Sequence, residues 1–347
     1  MELYVLNKDM QAIHLLDTFE SLLWTERYYE CGDFEISSPA SIELLKTFEK
    51  ENYLWSKDSD TVMIIEDLEI SSDQDKGTLF SVTGRSLESI LERRIIWNPT
   101  VLTGNLQDGI EKLLNENVIS PTIQERKIEN FLFERSADEQ ITKLTVEAEY
   151  DGDNLYEVIQ TLCKTNSIGF KVVINDKNQF IFKLYAGVDR SYNQNEVPYV
   201  LFSPRFDNII NSNYLESNKT LKTVALVVDG KEDKRKTVVV EAEGGAKTNL
   251  ERRELYVSSS VSSDESDVTS KMKETGKVEL TKNTITKTFE GEVESTQLYV
   301  YGEDFFIGDI VQVVNEYEVE AKTRVVEVVT SQTLEENKLY PTFETVI

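Results

Sequence analysis

One histidine, His14, and two cysteines, Cys31 and Cys163, are the only residues of their kinds in this chain of 347. A Ser-His-Asp or Cys-His nucleophile system needs an imidazole base, so such chemistry would rest wholly on His14. His14 alternates with apolar neighbours in AIHLLD (12–17), the pattern of a strand residue facing solvent or a neighbouring strand. Cys163 falls on the apolar stripe of an expected helix and reads as a core thiol, while Cys31 precedes a Gly-Asp turn. Nothing in their spacing calls for a disulfide. A zinc site takes about four Cys or His ligands, more than this chain holds.

The motifs G-x-S-x-G, H-E-x-x-H and G-x-x-x-x-G-K are absent. Paired carboxylates suffice for glycoside hydrolysis, but among 63 Asp and Glu residues close pairs arise by chance. Asp151-Gly152-Asp153 opens like a calcium loop, yet its fifth position is Leu155, where an oxygen ligand is needed. A helix cap is the better reading. Lys231, Lys234, Arg235 and Lys236 flank the Asp229-Gly230 turn and read as a solvated hairpin tip rather than an anion site. The residues therefore point to no catalytic, cofactor-binding or metal-binding side chain, and to a protein that is not an enzyme.

Against those 63 acids stand 37 Lys and Arg, a formal charge of −26. Such a surface repels nucleic acid, whose binders supply cations to the phosphates. It is compatible with a surface past which DNA must slide, and equally with a charge that serves solubility alone. No apolar stretch approaches the roughly 18 residues of a membrane span, and MELYVLNKDM lacks the basic and apolar regions of a signal peptide.

These side chains must be carried by elements. Residues 1–97 read as strands (ELYVLN, AIHLLD, SLLWTERYY, DFEISS, TVMIIEDLEI, GTLFSVTG) with one helix at SIELLKTFEK, whose Ile42, Leu45 and Phe48 share a face. Trp24, Trp55 and Trp97 all lie here and are expected in the core. Between 98 and 197 the segments NLQDGIEKLL (105–114) and NLYEVIQTLC (154–163) share one template. Asn105 and Asn154 stand at the cap position, with Asp108 and Glu157 three residues on. Leu106, Ile110, Leu113 and Leu114 line one stripe, and Leu155, Ile159, Leu162 and Cys163 line the other. Asn117 and Ile119 extend the match to Asn166 and Ile168. Strand-like runs follow each helix, so this reads as an α+β insertion built from two related units.

Beyond Pro198 the chain returns to strands, including NIINSNYLES, TLKTVALVVDG and RKTVVVEAEG. A Ser-rich acidic stretch (258–267) and a helix over about 264–282 precede two final β runs and LYPTFETVI. Gly32-Asp33 and Gly308-Asp309 each open a strand, followed by Ile64–Leu68 and Val325–Val329 of related pattern. The repeat suggests similar β-barrels at opposite ends of the chain.

Several segments carry a family resemblance. ESLLWTERYYECGDFEI, YLWSKDSDTVMIIEDLEI, VTGRSLESILERRIIW, NLQDGIEKLLNENVISP, LERRELYV, TKTFEGEVE, YGEDFFIGDIV and YPTFE resemble tail-tip hub proteins of siphophages and prophages of Gram-positive bacteria. These are similar to the central baseplate hub of contractile-tailed phages. The resemblance implies a mainly β, α+β chain with two tube-lining antiparallel β-barrel domains, 1–97 and 198–250 with 290–347. An α+β insertion domain (98–197) and a small peripheral insertion with a helix (251–289) complete it.

Such a hub is a virion component that assembles at the tail tip as a homotrimeric ring of pseudo-sixfold symmetry. Its implied partners are a distal tail or tail-tube ring protein, the tape-measure protein, and receptor-binding or tail-fibre proteins. DNA passes its lumen without specific binding. Relatives often continue into a hydrolase or receptor-binding module, and this sequence stops after YPTFETVI. A cell-wall hydrolase and a carbohydrate-binding tail adhesin are the competing functions.

Overall fold

The computed structural model describes residues 2–346 except 17–18, 74–76, 231–234, 245–247, 260–267 and 294–297. Its N-terminal β-module contains β1 (Leu3–Leu6), β2 (Ala12–Leu16), β3 (Ser21–Arg27), β4 (Asp33–Pro39), α1 (Ile42–Thr47), β5 (Tyr53–Ser56), β6 (Val62–Asp73) and β7 (Gly77–Ser86). The strands pair in the order β3-β4-β7-β6-β5-β1-β2, all antiparallel. Alternation does the sorting: on β7, Phe80, Val82, Gly84 and Ser86 are buried while the residues between them are not. Gly84 lies where a Cβ would sit 1.8 Å from the Ile64 carbonyl oxygen, so only glycine lets β6 and β7 approach there.

Two expectations fail in this module. Helix α1 is under two turns long and is capped by Ser41, whose hydroxyl accepts from Leu44 N–H. Ile42 is 74% exposed and Leu45 38%, while Phe48, just past the helix, packs on Phe80. Too short to lay a stripe on the sheet, the helix anchors by its exit residue. Of the three tryptophans only Trp24 is core, and Trp97 lies on the surface with the Arg126 guanidinium over its ring at 4.9 Å.

The middle of the chain forms β8 (Thr100–Asn105), α2 (Leu106–Leu114), β9 (Phe131–Glu134), α3 (Glu139–Thr142), β10 (Thr145–Tyr150), α4 (Leu155–Thr165), β11 (Gly169–Ile174) and β12 (Phe180–Tyr185). The two expected helices form with the expected caps. Asn105 Oδ1 accepts from the N–H groups of Gln107 and Asp108, and Asn154 Oδ1 from those of Tyr156 and Glu157. The likeness reaches the far ends, where Asn117 Nδ2 donates to Leu113 O and Asn166 Nδ2 to Leu162 O. Both stripes are buried in one core, which also takes in Val62 and Ile64 of β6 and Leu87 and Leu91 beyond β7. The insertion is thus packed onto the first module.

The C-terminal portion contributes β13 (Leu201–Phe202), β14 (Ile210–Ser217), β15 (Val224–Asp229), β16 (Lys236–Glu241), β17 (Glu254–Ser259), α5 (Val268–Lys282), β18 (Thr286–Glu292), β19 (Ile310–Val314), β20 (Glu320–Thr333) and β21 (Asn337–Thr345). Strands β15 and β16, expected in the second barrel, instead pair with β17 in a sheet of their own, roofed by α5. Gly276 of α5 makes the roof fit, since a Cβ there would lie 2.6 Å from Val240 Cγ2. Lys271 of α5 meets Glu149 at 3.1 Å and ties this small module to β10. The expected helix start at 264–267 and the cations Lys231 and Lys234 lie outside the described residues. In YGEDFFIGDIVQVVNEY only Ile310–Val314 is strand; the rest is turns, irregular chain and the isolated Tyr301–Phe305 bridge.

Candidate assembly surfaces

The two ends of the chain are built on one plan. Strands β3, β4, β5, β6 and β7 correspond in chain order and pairing to β14, β18, β19, β20 and β21. Phe34 of β4 stands opposite Trp24 and Gly84; Phe289 of β18 stands opposite Tyr214 and Phe343. Each module therefore carries one aromatic pair at the same place, Trp24 with Phe34 and Tyr214 with Phe289. Each long strand has a β-bulge at the same place, between Ile65 and Asp67 in β6 and between Val325 and Glu327 in β20.

The same matching corrects the Gly-Asp repeat. Glu51 N–H donates to Ile65 O and Ile65 N–H to Asn52 O; Gly308 N–H donates to Val325 O and Val325 N–H to Asp309 O. Glu51 and Gly308 both have positive φ, 70° and 92°. Gly308-Asp309 is therefore the counterpart of Glu51-Asn52. Gly32-Asp33 leads into β4, whose counterpart is β18. The shared dipeptide reflects the general use of Gly and Asp at strand entries.

Antiparallel pairing of β20 with β3, from Glu327 opposite Arg27 to Thr333 opposite Ser21, joins the modules into one 13-stranded sheet. Arg27 Nε reaches Glu327 Oε2 at 2.6 Å, and its Nη1 also holds Asp33. Tyr28, fully buried just past β3, is the pin of this joint. Its ring faces the Arg324 guanidinium at 5.1 Å, and its hydroxyl donates toward the carbonyls of Ser167 and Tyr185. Arg324 Nη1 donates to Gly308 O at 2.7 Å. Asp309, whose side chain is 3% exposed, accepts from Arg190 Nε at 2.7 Å and from the N–H groups of Val188 and Phe306. One knot thus fixes both β-modules and the α+β insertion.

The residues weighed for chemistry are dispersed. His14 lies on β2 opposite Val5. Both cysteines are free, and burial pushes both thiols up, away from the nucleophilic thiolate. Asp153 Oδ2 accepts from Asp151 N–H and shapes the turn before α4, but Asn154 is the cap. Among the described residues no group of three or more His, Cys, Asp or Glu is placed to hold a metal. A cleft of about 430 Å³ at the joint gathers Glu26, Glu30, Asp58, Asp60 and Glu88. Glu26 in it is already engaged by the hydroxyls of Ser59 and Tyr301. Two like modules at the chain ends were expected, but from the wrong dipeptide; the knot around Tyr28 and the true residue match were missed, and the TKTFEGE and ERYYECGDFE segments held their trace, aromatics at matching strand positions.

Glu88 is buried and accepts from Val172 N–H at 2.6 Å, and burial raises its carboxyl above the ordinary 4.5. A raised folded-state value means stability that is present below the ordinary carboxylate range and lost as pH rises through the raised value. Glu88→Gln keeps the acceptor and removes the charge. The variant is expected to melt at or above the parent at about pH 8, with the difference closing toward about pH 4. Melting curves at the two values check this; a variant several degrees less stable at the higher pH contradicts it.

The family described as Siphovirus ReqiPepy6 Gp37-like protein matches residues 2–343. No curated protein matches. Among solved structures, the 43 kDa tail protein of prophage MuSo2 from Shewanella oneidensis is 11% identical, with a TM-score of 0.61, over 99% of this chain and 98% of its own. The tail protein from Neisseria meningitidis MC58 is 13% identical, with a TM-score of 0.56 over 99% and 96%. Prophage tail protein gp18 from Listeria monocytogenes EGD-e is 12% identical, with a TM-score of 0.54 over 99% and 94%. At such identities the likeness is one of fold, and it extends over essentially the whole length of each.

Proposed function

The chain belongs to the Siphovirus ReqiPepy6 Gp37-like family, and we propose that it is a structural protein of a phage tail, the hub of the tail tip. The observation that carries this reading is the plan shared by the two β-modules. A chain with two like modules lets three copies present six like surfaces to a six-fold tail tube, which removes a symmetry mismatch without a second protein. The modules then serve as the tube-lining barrels, the second one formed by residues 198–217 and 286–347. The α+β insertion and the α5 module lie peripherally, where receptor-binding or fibre proteins attach. A distal tail or tube ring protein and the tape-measure protein are the axial neighbours.

On this reading the chain has no catalytic task, and its charge of −26 keeps DNA from adhering in the lumen. Cryo-electron microscopy of tails containing the chain tests the proposal. Three copies in a ring at the distal end are expected. Copies along the tube, or absence from the tip, contradict it, as does clearance of peptidoglycan by the purified chain.

A further inference from the structure

The joint inside the chain has an unfilled twin. β20 gives its first half to β19 and, past its bulge, its second half to β3. β6 gives its first half to β5, but past its bulge, among the described residues, Asp67–Asp73 pair only with β7. On the other side of the joint β3 is paired on both flanks, whereas among the described residues its counterpart β14 pairs only with β18 and ends the sheet. Each copy thus holds one completed joint and the two separate halves of another. Both halves expose apolar side chains, Ile70 at 54% and Leu215 at 49%, on edges long enough to template pairing.

We propose that β6 of one copy pairs antiparallel with β14 of the next, in the register of the β20–β3 joint. Transferring that register puts Asp67 opposite Ser217, Glu69 opposite Leu215 and Ile70 opposite Tyr214, where the internal joint has Glu327 opposite Arg27, Val329 opposite Thr25 and Thr330 opposite Trp24. The occupant of each edge is a second copy of this chain. Because the two edges differ, the contact is head-to-tail and builds a ring rather than a two-fold dimer. The number of copies rests on the hub reading; the register rests on the internal joint alone. Asp67 and Glu69 come beside Glu216, whose charge Lys287 offsets at 3.1 Å; the acids in excess make association strengthen with salt as screening shortens from ~30 Å at 0.01 M to ~8 Å at 0.15 M.

Tyr28 N–H donates to Val326 O, so counting by twos places Val329 and Thr25, and hence Glu69 and Leu215, in the closer kind of antiparallel pair. That spacing suits a disulfide. The test mixes the full-length single variants Glu69→Cys and Leu215→Cys at high concentration under mild oxidation, with the parent chain measuring background from Cys31. Covalent dimer is expected from the mixture, not from either variant alone, with more at high salt. Yield should exceed that of Glu69→Cys with Asn213→Cys on the order of tenfold, because diagonal neighbours lie ~7–8 Å apart. Should either variant misfold, Asp67→Cys with Ser217→Cys probes the same register.

No dimer from either pair, or equal yield from the slipped pair, overturns the proposal; so does linkage of one variant to itself. If the chain sits at the tail tip and neither bond forms, the register fails and the hub reading stands. If the bond forms in a chain absent from tail tips, the pairing stands and the hub reading fails.

Discussion

Gly308→Ala is expected to destabilise the protein by about 3–5 kcal/mol, adding the strain of a left-handed non-glycine residue to an overpacked joint. Gly308 has φ 92°, and a Cβ there would lie 2.3 Å from Cε2 of the Tyr28 ring. The ring cannot retreat, because Arg324 lies against it and Gly169 leaves no room on another side. Gly302 supplies the control: its φ is 88°, but a Cβ there would meet nothing within 4 Å. Gly302→Ala should therefore show the backbone effect alone, about 1 kcal/mol. Glu51, at the place equivalent to Gly308, tolerates φ 70° with a full side chain, so the ring rather than the backbone is the larger obstacle. Denaturant unfolding of the two variants decides the matter. Equal losses at 302 and 308 would show that Tyr28 does not hold the joint closed.

Asp309→Ala is expected to cost about 3–5 kcal/mol, the range for removing one partner of a buried ion pair. The carboxylate accepts from Arg190 and from two backbone N–H groups, and its loss leaves a largely buried guanidinium and both donors without it. Asp309→Asn should fall between parent and alanine variant, since the amide oxygen retains part of this set. Replacing Arg190 together with Asp309 by apolar residues of similar size should recover much of the loss, because no unpaired charge remains. Urea unfolding of the parent and the three variants checks the order. An alanine variant within about 1 kcal/mol of the parent would show that the 188–190 segment is not anchored by this pair.

What the sequence made legible was local. The helices beginning at Leu106 and Leu155 announce themselves by cap, stripe and length, all within a dozen residues, and both form as expected. Mainly β architecture was equally readable, as was the placement of Cys163 in the core. The partner of a strand was not readable. VALVVD and KTVVVE have the composition of any half-buried strand, and only the pairing of β15 with β17 reveals that they leave the second module.

Two similar end modules were expected, but which residues match between them escaped for a related reason. Its marks are hydrogen bonds at Glu51-Asn52 and Gly308-Asp309, dipeptides with no residue in common, and bulges that no side chain encodes. A coincidental Gly-Asp pair at residue 32 drew the comparison to the wrong strand. The free edges of β6 and β14 were likewise invisible, since an edge is defined by what is not beside it.

The α5 module hangs from the second β-module by two strands that are already partners: Ser217, the last residue of β14, lies opposite Thr286, the first of β18. In the first module the same two positions are bridged by the short connection between β3 and β4. Residues 218–285 are therefore a cargo carried on a hairpin whose stem closes without them, and loop closure grows only slowly dearer with length. A lineage can lengthen, shorten or exchange that cargo while the stem, and every contact the stem makes, stays in register. The same geometry marks the tip as the place to graft a foreign domain, with the two ends entering and leaving side by side.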